Sequence, residues 1–126
     1  MVPVNYDPAL KDTRMNAVLS AIDSNASPGT MEIASAGFST IICVIPLSKP
    51  SFAESGAVLT MLGAPKSAAA IGGGTAVLAR IKDGAGAVHI NNLSVGVSGA
   101  DINLSNTTIT VGQTVTINGG TITAAP

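Results

Sequence analysis

The chain has 126 residues, 10% of them charged and 46% apolar, and six Lys or Arg against seven Asp or Glu leave a formal net charge of -1. That length allows one domain around one core. The even balance excludes the basic patch that nucleic acid demands and gives no attraction to an anionic membrane. Trp is absent and Tyr6, Phe38 and Phe52 are the only aromatics, which removes base-stacking platforms as well.

Taken in chain order, residues 2–6 (Val-Pro-Val-Asn-Tyr) form an arm with no basic stretch leading into an apolar one, so no signal peptide is expected, and no apolar run nears the roughly 20 residues that span a bilayer. Residues 8–24 predict the one good helix. Asp7 is placed to accept from the first free backbone N–H groups, and Pro8 suits the first helical position. Met15, Val18, Leu19 and Ile22 fall at i, i+3, i+4 and i+7 on one stripe, and Asn25-Ala26-Ser27-Pro28-Gly29 ends it. From there the period becomes 2. Strands are expected at 30–35, 38–47, 56–62, 74–82, 87–91, 93–97, 101–104, 107–111, 114–118 and 121–124. Residues 48–56 and 63–74 read as connections, and Asp83-Gly84 and Asn118-Gly119-Gly120 as tight turns. Short strands at this spacing predict a mainly β fold, an antiparallel β-sandwich with one N-terminal α-helix. The division is an arm and helix over 1–29 and a sandwich over 30–126, within a single domain.

Charge is unevenly spread. Asp7, Lys11, Asp12, Arg14 and Asp23 crowd the start, whereas residues 84–126 contain one charge, Asp101. A free monomer keeps about a quarter or more of its surface charged. So charge-poor a segment predicts burial in an assembly, the alternative being that Ser, Thr and Asn supply the solubility.

Residues for chemistry are few. Cys43, the only cysteine, sits in Ile41-Ile42-Cys43-Val44-Ile45 and reads as a buried thiol. His89, the only histidine, lies between Val88 and Ile90, and alternation turns it outward. One His and one Cys do not supply metal-ligand spacing, no Gly-x-Ser-x-Gly elbow is present, and Pro65-Lys66-Ser67 lacks the glycines of a phosphate-binding loop. The expectation is a non-enzymatic protein with no catalytic residue, cofactor or metal.

Three segments together resemble a group of small virion proteins. They are Arg14-Met15-Asn16-Ala17-Val18-Leu19 leading to Ala21-Ile22-Asp23; the run 74–84 (Gly-Thr-Ala-Val-Leu-Ala-Arg-Ile-Lys-Asp-Gly) followed by Ala87-Val88; and 98–104 (Ser-Gly-Ala-Asp-Ile-Asn-Leu) followed by 107–109, Gly112, Val115, Ile117 and 121–123. In order and spacing they look like the capsid cement, or decoration, proteins of short-tailed bacteriophages; residues 37–65 carry no part of the likeness. The resemblance implies a jelly-roll-like sandwich on the capsid exterior that clamps neighbouring major capsid protein subunits, often as a dimer. The candidate interface is the helical stripe Met15, Val18, Leu19 and Ile22 with Arg14 as anchor, and the alternative for that stripe is packing within the chain. The alternative functions are a head–tail adaptor or tail component and, from another class, a carbohydrate- or receptor-binding module. The scarcity of aromatics counts against the last.

Overall fold

The computed structural model describes residues 7–123, so the arm at 2–6 and Ala124 lie outside the described residues. The helix α1 spans Pro8–Ile22, and eleven strands follow: β1 (Thr30–Ala34), β2 (Ile41–Pro46), β3 (Phe52–Ser55), β4 (Val58–Met61), β5 (Lys66–Ala69), β6 (Gly74–Thr75), β7 (Leu78–Lys82), β8 (Val88–Gly96), β9 (Ile102–Leu104), β10 (Thr108–Ile109) and β11 (Thr114–Thr123). The protein is mainly β with one N-terminal helix.

Nine strands make one sheet in the order β2-β1-β7-β8-β9-β11-β4-β3, with β5 also paired to β11; β6 and β10 form a separate ribbon. The ladders are antiparallel except β8 with β9. The sheet curls until its far parts approach each other: the amides of Ile71 and Gly72, just past β5, both donate to the Ile42 carbonyl in β2, at 2.8 and 3.2 Å. The result is a sandwich-like body whose interior is filled by alternate residues of many strands, among them Met31, Ile33, Ile45, Leu59, Ile81, Ile102 and Ile117, each 0–1% exposed.

Helix α1 packs on β3, β4 and β8. Met15 and Ile22 enter the core, and Val18 and Leu19 pack partly buried against it. The helix ends at Ile22, two residues before the expected 24. Asp23 turns its carboxylate across to accept the Ser51 amide at 3.1 Å, while its own N–H closes the last turn on Leu19. At the start, the Asp7 side chain makes no capping bond, contrary to expectation; its main-chain carbonyl takes the Leu10 and Lys11 amides instead, both at 3.0 Å. Asp7 is exposed, so a capping bond gains little there over water.

Several boundaries differ from expectation for local reasons. Phe38 leaves the expected strand 38–47 because Gly37 and Phe38 both take positive φ in a short 3-10 turn, and β2 begins at Ile41. The connection 48–56 contains β3, which anchors through Phe52 (1% exposed) and joins β4 through a two-residue turn, Gly56 and Ala57, both at positive φ. Residues 63–74 contain β5, whose alanines lie over Cys43. The expected strand 74–82 divides into β6 and β7 at Ala76-Val77, where the chain changes partner: Ala76 N donates to Thr107 O beside β10 and Val77 N to Ala34 O of β1. The expected strands 87–91 and 93–97 form a single one, β8, that bends at Asn92 (φ 58), where the register to β7 shifts.

The largest correction concerns Asn118-Gly119-Gly120, which is no turn. It lies inside the continuous strand β11, at a bulge where the register to β9 shifts between Ile117 and Gly119. The inward residues change phase across it: Val115 and Ile117 are buried before the bulge, Gly120 and Ile122 after it. A Cβ on Gly120 would stand 2.7 Å from Ile102 Cδ1, the end of a fully buried side chain that would have to shift to admit it.

Candidate functional site

Two small groups of charged side chains sit around β1, β7 and β8. On the outer face of β1 and β7, Glu32 lies opposite Arg80 and accepts from its Nε at 2.5 Å, while Lys82 Nζ reaches the other carboxylate oxygen at 3.0 Å. The Arg80 guanidinium also lies 4.8 Å over the Phe38 ring, which fixes the preceding 3-10 turn to the sheet. Burial raises the Glu32 pKa, but the hydrogen bonds and charges of Lys82 and Arg80 outweigh it and hold the carboxyl below its usual range.

The second group closes the β7–β8 turn. Asp83 Oδ1 accepts the amides of Ala85 (2.9 Å) and Ala87 (3.0 Å), and Oδ2 meets His89 Nε2 at 2.8 Å. An ionised carboxylate only accepts, so Nε2 carries the proton. The bond to His89, then that to Ala87, hold Asp83 below its ordinary pKa against the opposing effect of burial. The turn is where Asp83-Gly84 predicts it, but the positive φ falls on Gly86 (φ 92). His89 is an exposed strand residue, as its alternation implies, and its partner is this structural turn.

Cys43 is fully buried, its Sγ 3.8 Å from the carbonyl oxygens of Ala68 and Ala69, and burial pushes the thiol pKa up. Among the described residues no group of three His, Cys, Asp or Glu gathers to hold a metal, no pocket is enclosed, and no helix is long and apolar enough to cross a membrane.

The helical candidates face the body of their own chain: Met15 is 5% and Ile22 0% exposed, Val18 and Leu19 are half-buried, and Arg14 is half-buried on the same helix. Packing within the chain thus accounts for the stripe.

A different surface stands out. Ile71, Val77, Val97 and Val111 are exposed large aliphatics, at 65, 39, 61 and 65%. The hydrogen bonding gathers their segments at one end of the sheet. Val77 N donates to Ala34 O, Val95 N to Val77 O, Ala76 N to Thr107 O, Ile71 N to Ile42 O and Gly112 N to Ala70 O. The segments that build this end, 33–42, 67–79 and 91–114, contain a single charge, Asp101. Its carboxylate is partly engaged, accepting the Ser94 amide at 3.0 Å. The sequence signal for three of these positions is a lone large aliphatic near glycine: Ile71 before Gly72-Gly73-Gly74, Val111 before Gly112, and Val97 before Ser98-Gly99. A turn leaves such a side chain without neighbours to cover it. Compared with known proteins, the chain matches no family model, no curated protein and no solved structure.

Proposed function

We propose that the protein is a structural component of a tailed-phage virion, a capsid decoration protein that docks on the major capsid protein through its charge-poor end. The observation that carries this reading is the gathering at one end of the sheet of the segments that bear Ile71, Val77, Val97 and Val111, stretches in which Asp101 is the one charged residue. Apolar side chains set among Gly, Ser, Thr and Asn suit a permanent contact better than a free surface. Each apolar Å² removed from water contributes about 25 cal/mol, and a shell that repeats the contact many times multiplies a modest gain per copy. The likeness of three segments to decoration proteins agrees with this reading, and with it a jelly-roll-like sandwich and a place on the capsid exterior.

The test is binding to capsids that lack the protein. Wild-type chain should saturate them, and Ile71→Asp with Val111→Asp should lose binding while unfolding at the same denaturant concentration. Wild-type chain that fails to bind overturns the reading. Binding that survives the double substitution overturns the choice of surface.

A further inference from the structure

Of the chain's eight asparagines, Asn118 alone precedes a glycine. We propose that Asn118 and Gly119 form a self-modifying site, at which the folded protein converts Asn118 through a cyclic imide into aspartate and isoaspartate. The inference is independent of the proposed capsid role.

The chemistry needs an amide nitrogen that can reach the preceding side chain. The Gly119 nitrogen attacks Asn118 Cγ and loses its proton; the N–Cγ bond forms, the Cγ–Nδ2 bond breaks, and ammonia leaves with that proton. Water then adds to either carbonyl of the five-membered ring and breaks one of its two N–C bonds, giving aspartate or isoaspartate. The sum is one water taken up and one ammonia released, with no oxidant or reductant.

Three features of the fold favour it. An asparagine held in a regular ladder is extended, which keeps the next nitrogen away from its own Cγ; the bulge takes Asn118 out of the ladder with β9. Gly119 presents no obstruction, since even an added Cβ would meet nothing within 4 Å, and Asn118 itself is exposed to water. Finally, Ser105 Oγ donates to Asn118 Oδ1 at 3.2 Å, the oxygen on which negative charge develops as Gly119 attacks. The neighbouring asparagines differ in the residue that follows and in the partners of the amide. Asn103 has both ends of its amide tied to Ala100 and precedes Leu104; Asn106 accepts the Thr108 amide and precedes the β-branched Thr107.

The full chain is incubated in mildly alkaline buffer and followed by intact mass and peptide mapping. The expected result is conversion at Asn118, as aspartate and isoaspartate together, about tenfold or more faster than at Asn103 and Asn106. Gly119→Ala, which the backbone accommodates, should suppress it. Ser105→Ala should slow it about fivefold, the rate equivalent of one exposed hydrogen bond. Equal rates at the three asparagines, a rate unchanged in either variant, or conversion confined to urea-unfolded chain would overturn the proposal.

Discussion

Glu32 shows how single residues tie this sheet together. It stands between two cations on the adjacent strand, directly opposite Arg80, and its side chain is only 12% exposed. Glu32→Gln leaves Arg80 and Lys82 facing a neutral amide and should cost about 1 kcal/mol near neutral pH, read from urea unfolding. The pH dependence has a definite sign. A carboxyl whose folded pKa lies below its unfolded value stabilises the fold while ionised, and that contribution disappears as the pH falls through the two values. Glu32 and Asp83 are both held low, so stability should decline on acidification below the ordinary carboxylate range. The gap between wild type and Glu32→Gln should close there. A gap that persists in acid would mean the loss comes from packing. Composition and alternation already reveal the buried thiol of Cys43 and the outward His89. They do not reveal these pairings, because Glu32 meets Arg80 only through a strand register that sequence leaves open.

Among the elements, α1 and β11 illustrate opposite outcomes. The stripe Met15, Val18, Leu19 and Ile22 is legible because a 3.6-residue period survives whatever the helix packs against; what it packs against is set by β3, β4 and β8, far away in sequence. Ile22→Ala removes a fully buried side chain and should destabilise the whole fold by about 2–5 kcal/mol in denaturant unfolding, with helix and sheet signals lost together. Loss of helix signal alone would show a helix that docks independently. In β11 the local signal misleads. Asn-Gly-Gly is ordinarily turn chemistry, yet the tertiary demand for a bulge and for close approach to Ile102 uses the same residues. Gly120→Ala should therefore cost about 1–3 kcal/mol through overpacking, whereas Gly119→Ala, with open space around its Cβ, should fall within about 0.5 kcal/mol of wild type. Equal effects at the two glycines would point to a turn. Strands β3 and β5 escape sequence reading because Ala57 at positive φ and the Ala/Ser run of β5 carry no turn or strand signal.

At the scale of the molecule, the three most exposed large aliphatics, Ile71, Val97 and Val111, lie in charge-poor segments. The helix and the outer face of β1 and β7 bear clustered ionic groups, while segments 67–79 and 91–114 carry these aliphatics with Asp101 as their one charged residue. The charge-poor C-terminal segment is visible in composition, but its gathering with 33–42 and 67–79 at one end depends on long-range pairing. A contact made through such an end should resist sodium chloride, since no ion pairs are there to screen, and should tighten in sulfate, which strengthens apolar burial. Titration onto depleted capsids in each salt reads this directly. Steep weakening by sodium chloride would place the contact on the ionic face. The central claim, a repeated shell component, is tested most directly by the amount of this chain in purified virions, quantified by mass spectrometry against the major capsid protein. A fixed, simple ratio to the capsid subunit is the predicted result; a stoichiometry of a single ring, as in a neck or tail, or the absence of the chain from particles would contradict it.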